Sequence, residues 1–223
     1  MQQMKGGTAM NKQYCIFDMD GTIADSMGYW KHLEKEYLLG KGICDADADE
    51  ILKETQHQTI PESMAMFIER FGFEGTVASL TEEFNSLMAE HYRNDVDIKP
   101  GAKEYLDRLR EQGAKMCIAS ATSTPLVTIA LNRMGISDYF EFTISCVEVG
   151  HSKDHPDVFL EAARRLGCKP EDAAVFEDSL VATVSAKNAG FYTVGIYDKN
   201  SEHNWPSICE LADELIEDWT HCK

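Results

Sequence analysis

Two carboxylates one residue apart, Asp18 and Asp20, follow a short apolar run and are themselves followed by Gly21 and Thr22. If that run is a strand, a spacing of two aims both side chains to one side, and Gly21 permits the backbone turn that comes next. Carboxylate oxygens in such a place can act as nucleophile, proton carrier or ligand of a hard cation. The bland alternative is an Asp-Gly pair that merely ends a strand in a turn. Four specified residues in a pentapeptide arise by chance in about one in a few hundred chains of average composition, so the cluster alone only points toward a site.

Three further features recur later at the ends of strand-like runs: Ser120, Lys153 after a short loop, and Glu177 with Asp178. Each also has an ordinary reading. Ser120 suits a helix cap, Lys153 a solvated loop, and Glu177-Asp178 the acidic first turn of a helix, where the dipole favours it.

The elements that would position these residues are legible. Five segments rich in β-branched, aromatic and small apolar residues predict buried strands over Gln13 to Phe17, Lys115 to Ser120, Phe142 to Cys146, Ala173 to Glu177 and Phe191 to Ile196. A helical pattern precedes each of the last four, stopping at Gly113, Gly135, Gly167 and Gly190, three of them starting at Pro100, Pro125 and Pro156. Strict alternation of strand and helix predicts an α/β fold, a doubly wound parallel sheet covered on both faces, and in open sheets of this kind ligands bind at the carboxyl ends of the strands.

Between the first strand and Pro100 the period changes. Trp30, Leu33 and Tyr37, then Met64, Phe67 and Phe71, then Phe84, Leu87, Met88 and Tyr92 recur at helical spacing. The expected organisation is therefore a core of residues 1–26 and 98–223 and an inserted α-helical domain of residues 27–97, with crossings near Ala24 to Gly28 and Asp95 to Gly101.

Together the motifs resemble those of the haloacid dehalogenase superfamily of phosphotransferases, from Gln13 to about Ile196. The first motif is matched by Asp18-Met19-Asp20-Gly21-Thr22, the second by Ser120, the third by Lys153 and the fourth by Glu177-Asp178-Ser179. The helical insert looks like the cap of the phosphoglucomutase-like and phosphoglycolate-phosphatase-like branch, which closes over the site and selects substrate. The resemblance implies a Rossmann-like core and hydrolysis of a small phosphorylated metabolite through an aspartyl-phosphate, with Mg2+ as cofactor.

The chemistry that the resemblance implies needs these residue types. A carboxylate attacking a phosphate dianion is repelled unless a divalent cation neutralises both, and an all-oxygen ligand set suits Mg2+. Asp18 and Asp178 would supply oxygens, with the Asp20 backbone carbonyl a further ligand and Glu177 shaping the site. Asp18 would be the nucleophile, while Asp20 would protonate the leaving group and then deprotonate water. Lys153, Ser120 and the Ala121 backbone N–H would face the transferring oxygens, and Thr22 would support the nucleophile loop.

The sequence departs from the family pattern in two places. Lys153 is followed by Asp154 and His155 before Pro156, where a proline usually follows at once, and Ala182 stands where a glycine is common. The nearest rival is a phosphomutase, but the mutases of the branch carry a cap histidine at a position that counts to Trp30. Dehalogenases and phosphonatases lack the second acid, so Asp20 counts against both. A non-catalytic binding or regulatory protein on the same fold would be signalled by loss of Asp18, Asp20, Lys153 or Asp178, and all four are present. Trp30, Lys31, His57 and Glu62 lie in cap segments without an assigned role.

Bulk properties fit this reading. A formal net charge of −17 over 223 residues opposes a nucleic-acid partner. No apolar run approaches a membrane span, and residues 1–11 lack a signal-peptide core. Seven scattered cysteines, an odd number, read as small hydrophobes of a reducing compartment. A cytoplasmic monomer is expected.

Overall fold

The structure is a computed structural model that describes residues 9–55 and 58–222. Six parallel strands form one sheet: β1 (Tyr14–Phe17), β2 (Lys115–Ser120), β3 (Thr143–Ser145), β4 (Ala173–Glu177), β5 (Tyr192–Ile196) and β6 (Glu214–Ile216), in the order β3-β2-β1-β4-β5-β6. Tyr14 pairs with Lys115 on one side and Ala173 on the other. Chain order reverses at β1, so the ends of β1, β2 and β4 border the crevice that such a reversal opens.

Side-chain alternation gives the sheet two apolar faces. Ile16, Cys117 and Val175 pack with Phe159 and Ala162 of α8 (Asp157–Leu166) and Ala186 of α9 (Leu180–Asn188). Phe17, Ile118 and Phe176 face the other way, onto Leu109 of α5 (Ala102–Glu111), Leu131 of α6 (Thr124–Met134) and Trp219. Phe17 and Phe176 stack with ring centroids 4.1 Å apart, directly beneath the strand ends that carry Asp18 and Glu177. The expected doubly wound sheet is thus observed. β6 was not anticipated, because Glu-Leu-Ile is too short to show a period. The helical turn α7 (Cys146–Val149) and α10 (Trp205–Leu211) also escape the sequence pattern.

The inserted cap consists of α1 (Met27–Gly40), α2 (Asp45–Thr55), α3 (Ile60–Phe71) and α4 (Val77–Asn94). Its centre is aromatic: Trp30 stacks on Phe84 at 5.9 Å and Tyr37 meets the same ring edge-on at 5.2 Å. Leu87, expected on the buried stripe, is exposed. The outgoing and returning chains are tied together, Asp25 N–H donating to the Asp97 carbonyl at 3.0 Å and Lys99 N–H to that of Ile23 at 2.7 Å. Cys15, Cys117 and Cys146 are buried free thiols, and no described helix is long and apolar enough to cross a membrane.

Candidate active site

The loop after β1 folds back on itself, the N–H groups of Thr22, Ile23 and Ala24 all reaching the Met19 carbonyl at 2.9–3.3 Å. Gly21 has φ 83°, a conformation that glycine adopts without cost. A Cβ there would also lie 2.8 Å from Asp178 Cγ and 2.9 Å from Met27 Cγ. This tight turn lets the acids of β1 and β4 meet.

Asp18, Glu177 and Asp178 are buried, and one oxygen from each lies within 4.8 Å of the others. Lys153 is buried with them, its ammonium 2.5 Å from both Asp18 Oδ1 and Glu177 Oε1. The remaining atoms divide the cluster. Glu177 Oε2 accepts from Ser179 N–H at 3.1 Å, and Asp178 Oδ1 accepts from the Thr22 hydroxyl at 3.4 Å. Asp18 Oδ2 is buried without a hydrogen-bond partner.

Burial pushes the Asp18 carboxyl up to about 7, against the pull of Lys153, and burial together with the Asp18 and Glu177 charges raises Asp178 well above the carboxylate range. Burial would lower Lys153, but the two acids outweigh it and hold the ammonium charged. One lysine cannot balance three buried acids. The orphaned Asp18 oxygen and the all-oxygen donor set fit a hard divalent cation of the Mg2+ kind.

Asp20 lies apart from this cluster in a cage of donors. Its Oδ1 accepts from Ser26 Oγ at 2.6 Å, Tyr92 Oη at 2.5 Å and Trp30 Nε1 at 3.1 Å, and its Oδ2 from Thr122 Oγ1 at 2.8 Å. Trp30 and Tyr92 belong to the cap, Thr122 to the core. Hence the two acids of the first motif face different surroundings, one anionic and one rich in neutral donors.

Other expected residues are placed as follows. Ser120 is buried and its Oγ accepts from Thr122 N–H at 3.0 Å, while Ala121 is half-buried beside it. Asp154 is exposed and accepts from Ser152 at 2.8 Å, clear of the Lys153 ammonium. Ala182 is fully buried in α9. Glu62 closes a capping box with Thr59, and Lys31 donates to the Asn200 carbonyl. His57 lies outside the described residues. The sequence does not mark Ser26 or Thr122 as site residues, shows Tyr92 only as part of an apolar stripe, and gives Trp30 no role. Tyr92 was hidden in an apolar stripe, where its hydroxyl gave no separate signal. Thr122, two residues beyond Ser120, was open to the same period-two logic that linked Asp18 with Asp20.

Residues 15–196 match the haloacid dehalogenase-like hydrolase family. The chain belongs to that family. Beta-phosphoglucomutase of Bacillus subtilis (strain 168) is 29% identical over 196 residues, covering 81% of each chain. Hexitol phosphatase B of Escherichia coli (strain K12) is 26% identical and covers 78% of each. Among solved structures, a CbbY variant from Rhodobacter sphaeroides in complex with Xylulose-(1,5)bisphosphate superposes with a TM-score of 0.81, covering 94% of this chain and 96% of that one at 20% identity. That likeness shows the fold alone. Family membership places the haloacid dehalogenase-like chain among enzymes, in a branch of phosphatases and phosphomutases, as a phosphoric monoester hydrolase.

Proposed function

We propose that the protein hydrolyses a small phosphate monoester in two steps, with Mg2+ as its cofactor. The observation that carries this reading is the separation of Asp18 from Asp20 at the end of one strand. In this reading Asp18, beside Lys153, attacks phosphorus, and Asp20, surrounded by neutral donors, transfers the proton.

In the first step an Asp18 oxygen bonds to phosphorus as the ester P–O bond breaks, and Asp20 gives its proton to the departing alkoxide. In the second, water attacks the same phosphorus, Asp20 takes a proton from it, and the acyl-phosphate P–O bond breaks to return the Asp18 carboxylate and release inorganic phosphate. Lys153 and the Ser120 hydroxyl face the phosphoryl oxygens as charge develops there, with the Ala121 N–H beside them and Thr22 bracing Asp178. Held by Asp18, Asp178 and the Asp20 carbonyl, with Glu177 alongside, Mg2+ would neutralise nucleophile and phosphate.

Hydrolysis is favoured over phosphate migration by Trp30, which occupies the position counted for the mutase histidine. Its indole is a donor only and is already committed to Asp20 and Tyr92, so it cannot accept a proton. Phosphorus NMR of the protein with Mg2+ and a sugar monophosphate tests this: inorganic phosphate is the expected product. An isomeric sugar phosphate without matching phosphate release would overturn it.

A further inference from the structure

A cavity of about 50 Å3 lies between cap and core, lined by Trp30, Thr81 and Asn85 from the cap and by Thr122, Ser123 and Val147 from the core. Two of these residues touch Asp20. Trp30 and Thr122 both donate to Asp20 and both line the cavity, so an ester oxygen leaving toward Asp20 carries its alcohol into this space.

The lining says what that alcohol is. Among the described residues it includes no Asp, Glu, Lys, Arg or His. Thr81 Oγ1 is buried without a hydrogen-bond partner; Asn85, one helical turn further along α4, is half-buried and makes no hydrogen bond among the described residues. Ser123 stands at the start of α6, and its hydroxyl makes no capping bond. Buried polar groups left unpaired in the free protein are groups that a ligand can pair. Around them Trp30, Ile60 and Val147 supply apolar contact for carbon. With room for about four water-sized groups, the cavity fits a short chain.

We propose that this cavity receives the leaving alcohol, that Thr81 and Asn85 bind its hydroxyls, and that the substrates are monophosphates of small uncharged polyols. A carboxylate or second phosphate there would lose its hydration without gaining a counter-charge. The inference rests on the phosphatase reading and deepens it.

Glycerol phosphate and phosphoglycerate make the test, since they share a carbon count and differ by one carboxylate. With Mg2+ the intact protein should show kcat/KM at least about tenfold higher for glycerol phosphate, and Thr81→Val or Asn85→Leu should each reduce that preference about tenfold. Equal or inverted preference, or a preference unchanged by both substitutions, overturns the inference while leaving the phosphatase reading intact. Absence of phosphate release from either ester and from acetyl phosphate overturns the phosphatase reading instead. Calorimetric titration of the Asp18→Asn protein then judges the cavity separately: tighter binding of glycerol phosphate sustains it, and equal or tighter binding of phosphoglycerate removes it.

Discussion

The Tyr92 hydroxyl donates to Asp20 Oδ1 across 2.5 Å, joining the last helix of the cap to the second acid of the first motif. Burial, and after it the Asp20 charge, hold the phenol protonated well above its ordinary range, so Tyr92 acts as a neutral donor. Trp30 donates to the same oxygen and to Tyr92 as well. In this geometry two cap residues hold the orientation of the acid.

Removing that contact should therefore weaken proton transfer more than binding. A hydrogen bond to a charged group contributes about 1.5–3 kcal/mol, so Tyr92→Phe should lower kcat on glycerol phosphate by roughly tenfold to a hundredfold with KM little changed. Acetyl phosphate, whose leaving group needs little protonation, should be affected less. Equal losses on both substrates, measured by steady-state kinetics, would mean that Tyr92 only supports the fold.

The two aspartates of the first motif should fail differently. Asp18→Asn lacks the nucleophile, so no phosphoenzyme should form. Asp20→Asn keeps Asp18 able to attack an activated phosphate but slows both proton transfers, and a phosphorylated Asp18 should accumulate. Rapid acid quench followed by peptide mass spectrometry locates the phosphate, and finding it on another residue would refute the assignment.

Three buried acids around one lysine predict a metal-dependent stability. At Mg2+ about a hundredfold above Kd, linkage adds about 2.7 kcal/mol, which for a chain of this size raises Tm by roughly 5–10 °C. Asp178→Asn should lose most of that increment, and Ca2+, with its longer and more numerous bonds, should occupy the site yet inhibit turnover. Full activity in excess chelator would remove the metal from the reaction.

Gly21→Ala tests the turn that joins the acid groups. The new Cβ would sit 2.8 Å from Asp178 Cγ at φ 83°, with left-handed backbone alone costing about 1–2 kcal/mol. The variant should melt lower and bind Mg2+ more weakly, because the side chain with the least room to retreat is Asp178. An unchanged Mg2+ isotherm would contradict the geometry.

Glu34 gives the cap a pH dependence of its own. It lines a small cavity with Tyr37, Ile60 and Ser63, and burial raises its carboxyl to about 7, with Lys31 opposing. A folded pKa above the unfolded one stabilises below about pH 4 and loses that contribution as pH rises through about 7. Glu34→Gln should thus raise Tm relative to the parent at pH 8 and not at pH 4. An equal change at both pH values would place the effect in packing.

The residues of the first, third and fourth motifs were readable because their neighbours in sequence are also their setting. Continuous apolar runs fix the strands, the strands fix where the acids emerge, and Gly21 follows where the chain must turn. The four cap helices were less evenly legible. Aromatic stripes marked α1, α3 and α4, whereas α2, with Asp45, Asp47 and Asp49 among its few apolar residues, has a stripe too narrow to show. β6 is three residues long and is held by pairing with β5, a contact that no local pattern announces.

The sequence by itself determined the fold class, the acid pair after β1 and the family, because strand and turn chemistry are fixed by residues a few positions apart and the motifs recur in order at the ends of successive strands. Tertiary structure alone decided which groups surround each acid. Asp18 meets Lys153 across 135 positions and Asp20 meets Tyr92 across 72, and the double use of Trp30, its ring stacked in the aromatic centre of the cap while its indole N–H reaches Asp20, follows from how the cap settles on the core. Such contacts are set by packing between distant elements, where apolar burial fixes the approach and unpaired buried donors then fix the partners.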